Sequence, residues 1–192
     1  MNIANQLESI VNQLVEEIKT KLDAEIQSSI VKQIDTALKD YDFDSVVGQV
    51  ADTKLDAKVK SFAALKAKAT KTKSGLEFVI TKKSGGAKPK AGTGIFIHYA
   101  GFLENGTLFD SSIESVCKTF GTFDPNRAAQ NGYQPIPFQA GKKDGMIPGF
   151  IEGIEQLSFG DKAVIFIPSK LGYGEAGAGG VIPPNANIIF EI

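Results

Sequence analysis

The first forty residues carry apolar side chains at intervals of three or four residues, with charged and amide side chains between them. The apolar positions are Ile3, Leu7, Ile10, Leu14, Ile18, Leu22, Ile26, Ile30, Ile34 and Leu38. This spacing predicts an amphipathic helix of about 38 residues, or two helices with a break near Ser28 and Ser29. From Leu14 onward the step is always four residues, so the apolar stripe winds around the helix axis by about 40° per step.

A single helix cannot bury such an apolar stripe on itself. One interpretation is that the helix docks on its own domain, and the other is that it binds a second copy or a larger assembly. Since no intrachain partner for the stripe is visible in the sequence, we favour the second interpretation. We expect a homo-oligomer, or anchoring in a larger assembly, through residues 1–40.

The helical pattern is interrupted at residues 41–45, and a second, shorter helical stretch is predicted from there to about residue 70. Seven lysines lie in residues 54–73, against Asp56 as the one acidic residue. We expect these lysines to balance the acidic first helix or to form a solvated helical linker. A nucleic-acid surface is not expected, because the run has no interleaved aromatic side chain beyond Phe62 and no reader motif.

Glycine and proline become frequent only in the second part of the chain. All eight prolines follow residue 88, and Gly48 is the one glycine before Gly75. Turn residues between short apolar runs predict strands. The predicted strands are residues 76–81, 95–103, 107–110, 162–168 and 187–192. Asn105 and Gly106 predict a type I′ hairpin turn, and a short helix is predicted from Pro148. Together these elements predict an α+β domain with an antiparallel sheet.

Composition narrows the functional classes. The net charge of −1, the single cysteine and the lack of a long apolar run argue against nucleic-acid binding, an internal disulfide and a membrane span. No secretory signal is visible, so we expect a cytoplasmic protein. His98 has no nucleophile near it in sequence and is interpreted as structural. The glycine string at residues 172–177 opens into prolines instead of a helix, which argues against a dinucleotide site.

Seven short motifs follow one another in the second part of the chain. They are Tyr-Ala-Gly at 99–101, Gly-Thr-Leu-Phe-Asp-Ser-Ser at 106–112, Pro-Phe at 137–138, Met-Ile-Pro-Gly-Phe-Ile-Glu-Gly at 146–153, Gly-Asp-Lys-Ala at 160–163, Leu-Gly-Tyr-Gly at 171–174 and Val-Ile-Pro-Pro-Asn-Ala at 181–186. In this order they resemble the FKBP-type peptidyl-prolyl cis-trans isomerases across essentially the whole of residues 75–192. The predicted organisation is therefore an amphipathic helical arm at 1–44, a lysine-rich helical linker at 45–74 and an isomerase domain at 75–192.

The resemblance implies a half-barrel sheet wrapped on a short helix, with a proline pocket between them. The implied catalytic residues are Tyr99, Phe109, Asp110, Tyr173 and Ile182, and the implied substrate-binding residues are Phe138, Met146, Ile147, Phe150 and Phe190. Phe150 stands where many members have tryptophan, and Ile136 where an aromatic residue is common. The implied donor to the substrate carbonyl is the amide of Ile182, assisted by the Tyr173 hydroxyl. Asp110 is expected to orient its neighbours and not to transfer a proton.

The implied function is peptidyl-prolyl cis-trans isomerisation that assists protein folding. Catalysis would be non-covalent in a dry aromatic pocket, with no cofactor and no metal. The implied partners are proline-containing polypeptides and macrolide inhibitors. The alternative is a binding module, in which the domain recognises proline or is decorative and the arm anchors it in a larger, structural assembly. Residues 113–134 form a loop longer than in minimal members, and we expect a short helix near residues 113–120.

Overall fold

The computed structural model describes residues 3–39 and 43–192, and the chain divides into two compact units between residues 48 and 49. The first unit contains helix α1, Ile3–Lys39, which runs through Ser28 and Ser29 without a break. The apolar side chains described between Ile10 and Ile34 are each 42–61% exposed. The predicted interruption at 41–45 lies partly outside the described residues, as do the side chains of Ile3, Leu7 and Leu38.

Among the described residues, the second unit contains the end of a second helix, eight strands, three short α-helices and two 3-10 helices (Ser169–Leu171 and Gly174–Ala176). The helices are α2 (Phe43–Lys66, which crosses the division), α3 (Glu114–Thr119), α4 (Pro125–Ala129) and α5 (Pro148–Ile154). The strands are β1 (Thr70–Lys71), β2 (Glu77–Lys82), β3 (Gly94–Ile97), β4 (Ala100–Leu103), β5 (Leu108–Ser111), β6 (Ile136–Gln139), β7 (Lys162–Ile167) and β8 (Ile188–Glu191). Within the described ranges, no helix is long and apolar enough to cross a membrane.

Six strands form one antiparallel sheet in the order β1-β2-β7-β8-β4-β5, and β3 and β6 form a separate two-stranded ribbon. The predicted α+β class, with an antiparallel sheet and short helices, is confirmed. The short helix expected near residues 113–120 is also present as α3. The sequence did not predict β1 and β6.

The predicted strand at 95–103 is wrong as a single element, because it divides at His98 and Tyr99. Two serine hydroxyls form hydrogen bonds with the backbone of Tyr99 at this point. The Tyr99 amide donates to Ser112 Oγ at 2.8 Å, and Ser111 Oγ donates to the Tyr99 carbonyl at 2.7 Å. The Tyr99 carbonyl also accepts from the Ser112 amide at 3.0 Å, so Tyr99 is held beside the end of β5 where the chain passes from the ribbon into the six-stranded sheet.

The predicted type I′ turn is wrong as well. Such a turn needs positive φ at both central residues, but Gly106 has φ 86° while Asn105 does not have a positive φ. The loop is instead three residues long: the Leu103 amide donates to the Thr107 carbonyl at 2.9 Å, and the Gly106 amide donates to the Leu103 carbonyl at 3.0 Å. Asn105 Oδ1 accepts from the Thr107 amide at 3.1 Å, which holds the loop without a left-handed asparagine.

Side chains alternate across the sheet and create an apolar core on each face. On β7, Ile165 and Ile167 face the core that contains α5, whereas Val164 and Phe166 face the opposite core. We call the side with α5 the inner face and the side with Phe166 the outer face. Alternation of this kind follows from the two-residue period of a strand with both faces buried.

The end of α2 covers the outer face. Phe62 is 3% exposed, and its ring centroid lies 5.3 Å from Phe102 and 6.4 Å from Phe166. Lys58 Nζ lies 2.7 Å from Glu191 Oε1 and 4.6 Å from the centroid of the Phe102 ring. At least one lysine of the basic run therefore fixes the helix to the sheet. The division into arm, linker and domain stays a prediction, but part of the predicted linker lies in the same compact unit as the sheet.

Candidate active site

A cavity of about 350 Å³ opens between the inner face of the sheet, α5 and the glycine-rich loop at residues 173–182. It is lined by Tyr99, Phe109, Asp110, Ile136, Gly145, Met146, Ile147, Phe150, Tyr173, Ala178, Gly179, Val181, Ile182 and Phe190. Nine of the ten residues implied by the resemblance are in this set. Their roles stay predictions, but the fold brings these nine side chains to one cavity.

Four aromatic rings form the base of the cavity. Phe190 of β8 lies at their centre, with ring centroids 5.0 Å from Phe150, 5.6 Å from Phe109 and 5.8 Å from Tyr99. All three contacts are edge-to-face, the arrangement that aromatic quadrupoles favour. The rings therefore support one another and present a fixed apolar surface.

Two glycines make this arrangement possible. A Cβ on Gly101 would lie 2.4 Å from Phe109 Cζ and 3.0 Å from Phe190 Cε1, so the Tyr-Ala-Gly motif leaves room for the two rings. A Cβ on Gly153 would lie 2.6 Å from Ile165 Cδ1, so this glycine lets α5 approach β7. Pro148 begins α5, where its missing amide costs no helix bond, and Phe150 follows on the first turn.

A polar network borders the rings. The Tyr99 hydroxyl donates to Asp110 Oδ2, and Arg127 Nη1 donates to Asp110 Oδ1 at 2.7 Å. Burial, and after it the hydrogen bond to Asp110, raises the pKa of Tyr99 above its usual value. Tyr99 thus keeps its proton at neutral pH, and both carboxylate oxygens of Asp110 are occupied. This geometry suits an orienting role for Asp110.

Arg127 is a component that the resemblance did not assign, although the sequence places it in the long loop beside the pocket. It lies in α4, whose N-cap Asp124 accepts hydrogen bonds from the amides of Asn126 and Arg127. The guanidinium also lies 4.5 Å from the centroid of the Tyr133 ring. One signal was available: Arg127 is the only arginine in a chain with 21 basic residues. Arginine holds carboxylates and aromatic faces in ways that lysine does not.

Ile182 lines the cavity, but its amide is not the free donor that the resemblance implied. This amide donates to the Ala178 carbonyl at 3.0 Å, and the Ala178 amide donates back to the Ile182 carbonyl at 2.9 Å. The bridge holds the glycine-rich loop over the cavity and uses the Ile182 donor. Among the described hydrogen bonds, the amide of Ile147, at the start of α5, has no protein acceptor, so it is one of the lining amides that can donate to a ligand.

Phe138 is the predicted pocket residue that the structure places elsewhere. It lies on β6 opposite Ile95 and is buried in the inner core, two residues beyond Ile136. Ile136 and Phe138 share a face of the strand, but only Ile136 reaches the proline pocket. Five residues that line the proline pocket were not among those implied as catalytic or substrate-binding: Ile136, Gly145, Ala178, Gly179 and Val181.

His98 is exposed and lies outside the cavity lining, with Nδ1 3.1 Å from Ser112 Oγ. In the part of the chain that the structure describes, no three histidine, cysteine or acidic side chains are grouped so that they could hold a metal.

Comparison with known proteins gives consistent matches. The family model of the FKBP-type peptidyl-prolyl cis-trans isomerases matches residues 85–192. The isomerase FkpA of Aeromonas hydrophila is 38% identical over 121 residues, which are 63% of this chain and 37% of that protein. FK506-binding protein 1 of Dictyostelium discoideum is 36% identical over 118 residues, which are 62% of this chain and 94% of that protein.

Among solved structures, the crystal structure of AtFKBP13 superposes with a TM-score of 0.50 at 30% identity, covering 64% of this chain and 93% of that one. The match thus spans nearly the whole length of the Dictyostelium protein and of the AtFKBP13 chain, and little more than a third of the Aeromonas protein.

Proposed function

The chain belongs to the FKBP-type peptidyl-prolyl cis-trans isomerase family, and we propose that its aromatic cavity receives a prolyl ring of a client polypeptide and accelerates rotation about the preceding peptide bond. The observation that carries this proposal is the ring set of Tyr99, Phe109, Phe150 and Phe190 around one cavity. Such a surface holds an apolar ring and excludes water. In this proposal the isomerase assists the folding of proline-containing clients.

The physical basis is the loss of amide resonance during rotation. The barrier of about 18–20 kcal/mol arises because the planar amide has charge separation that the twisted amide lacks. Water stabilises the planar form by hydrogen bonding to its carbonyl oxygen. A dry aromatic cavity removes that water and so favours the twisted form relative to the planar one. No nucleophile is required, which agrees with the exposed position of His98 outside the cavity.

Few polar groups are needed to orient the substrate. In this proposal the Ile147 amide donates to a client carbonyl, and the hydroxyl of Tyr173, a lining residue that is 36% exposed, assists. Asp110 is held by Tyr99 and Arg127, so its charge is compensated and does not draw water onto the rings.

The test is a cis-trans exchange assay of the full chain on a short peptide with an apolar residue before proline. Uncatalysed exchange takes tens to hundreds of seconds, so a catalysed rate is easily separated from it. We expect acceleration that is retained in a His98→Gln variant. A folded chain that exchanges the peptide no faster than buffer would leave the alternative function, a binding module without catalysis.

We further propose that α1 joins copies of the chain. Its described apolar side chains are 42–61% exposed along the whole stretch from residue 10 to residue 34. Burying each of them on a partner would contribute about 1.5–3 kcal/mol if burial were complete. Because the stripe winds around the helix, a partner helix must wrap with it. A dimer through residues 1–40 is the simplest assembly that meets this condition.

Sedimentation of the full chain at micromolar concentration tests the assembly. We expect at least a dimer, which dissociates when Leu14, Ile18 and Leu22 are all changed to glutamate. The matched control combines Glu17→Gln, Lys21→Gln and Asp23→Asn, at three positions outside the stripe. This variant should stay associated. A monomeric wild-type chain would contradict self-association.

A further inference from the structure

A second cavity lies beside the proline pocket, and the proposed catalysis makes no use of it. It has a volume of about 460 Å³ and is lined by the ribbon of β3 and β6 and by Lys142, Asp144, Gly145 and Met146. Phe96 is 76% exposed there, the most exposed large apolar side chain among the described residues. Its strand partner Pro137 is exposed beside it. The two residues form an apolar platform on the surface.

The ribbon contributes to both cavities, because Ile136 lines the proline pocket and Phe138 lines the second cavity. Ile95 and Phe138 pair across the ribbon and pack against the inner core, and they line the second cavity together with the exposed Phe96 and Pro137. The cavities also share part of their lining, Gly145 and Met146. A polypeptide that leaves the proline pocket across Met146 therefore reaches the platform directly.

The charged side chains beside the second cavity do not favour an ionic ligand. Lys142 Nζ lies 3.5 Å from Asp144 Oδ1, so the two charges next to the cavity compensate each other. The other lining side chains belong to Ile95, Phe96, Pro137, Phe138, Gln139 and Met146, and Gln139 alone of these six is polar. This favours an uncharged, apolar side chain as the occupant.

We propose that this second cavity is a subsite for an apolar side chain of the client polypeptide, close in sequence to the proline held in the neighbouring pocket. The proposal rests on the proposed isomerase function and adds a specificity to it. Because the two cavities share Gly145 and Met146, the preferred apolar residue lies close to the proline along an extended chain. The isomerase would thereby select prolines near apolar segments, which are exposed in unfolded chains.

The test compares two peptides with the full chain and with a Phe96→Ser variant. One peptide is a blocked tetrapeptide containing the proline, and the other extends it by four residues on each side, with leucine placed at one position at a time. We expect kcat/KM for the best long peptide to fall about fivefold in Phe96→Ser, while the value for the tetrapeptide stays unchanged. Phe159→Ser, which removes another exposed ring (46%), is the matched control and should change neither value.

Peptide affinity is measured by calorimetry in parallel, so that the subsite is decided even if the chain does not catalyse. If the wild type were inactive on both peptides, the proposed function would fail, and a Phe96-dependent affinity for the long peptide would still support the subsite. Equal losses on both peptides, or no loss on either, would overturn the subsite. A changed sedimentation mass of Phe96→Ser, with unchanged peptide selectivity, would instead assign the platform to contacts between copies.

Discussion

The six-stranded sheet carries phenylalanine rings on both faces, and the aromatic cavity lies on the inner face. On the outer face, the Phe62 ring of α2 packs edge-to-face on Phe102 and Phe166, and Phe120 packs on Phe102. On the inner face, Phe109, Phe150 and Phe190 pack edge-to-face and still line a cavity of about 350 Å³. Similar side chains thus serve two different ends.

The difference lies in what covers the rings. A helix with a large side chain fills the outer face, whereas α5 on the inner face is short and approaches the sheet through Gly153. The inner cavity is then roofed by a loop that is bridged to itself between Ala178 and Ile182. A loop over rigid rings leaves access for a ligand, while a docked helix does not. The outer face should therefore determine stability, and the inner face activity.

The largest effect is expected from Phe62→Ala on the outer face. Truncating a fully buried phenylalanine costs about 3–5 kcal/mol of unfolding free energy, because burial is lost and a cavity remains. Urea unfolding of the full chain, followed by tyrosine fluorescence, measures this cost. Phe159→Ala, at a half-exposed ring, is the matched control and should cost far less. A cost below about 1 kcal/mol for Phe62→Ala would mean that α2 is dispensable to the domain.

A smaller effect, on activity in place of stability, is expected from the inner face. Replacing Phe109 or Tyr173 with alanine should lower kcat/KM by at least about tenfold, equivalent to roughly 1.4 kcal/mol of transition-state stabilisation. His98→Gln should change kcat/KM much less. Exchange kinetics on the short peptide give both values, and urea unfolding checks that each variant is folded. If His98→Gln were the more harmful change, the assignment of the cavity as the active site would be wrong.

The inner face was largely predictable from the sequence, and the outer face was not. Phe109, Phe150 and Phe190 belong to short local motifs or to the last strand, and their order along the chain implied a shared cavity. Phe138 shows the limit, because two positions on one strand face can serve a pocket and a core. The implied role of the Ile182 amide as a free donor was wrong for a related reason, because a backbone bridge to Ala178 cannot be inferred from residue types.

Long-range contacts account for the remaining differences. Nothing local to Phe62 indicates that it packs on Phe102, forty residues later, and the same holds for Lys58 and Glu191. At the division of the strand, Tyr99 is bonded by the hydroxyls of Ser111 and Ser112, which lie 12 and 13 residues later in the chain. Periodicity identifies strands and helices, but it does not identify which polar group will compete for their backbone.

The smallest effect, and the sharpest test of the outer face, concerns the ion pair between Lys58 and Glu191. Lys58 Nζ lies 2.7 Å from Glu191 Oε1, and its side chain is also close to the rings of Phe62 and Phe102. An exposed pair would contribute about 0–1 kcal/mol, and the partial burial of this pair places it toward the upper end of that range. Lys58→Met keeps much of the apolar contact and removes the charge, so a double-mutant cycle with Glu191→Gln isolates the pair. We expect a coupling of at most about 1 kcal/mol in urea unfolding, weakened by added salt, and unchanged kcat/KM on the short peptide. A loss of activity without a loss of stability would show that the outer face acts on the cavity through β8, and the separation of the two faces would then be wrong.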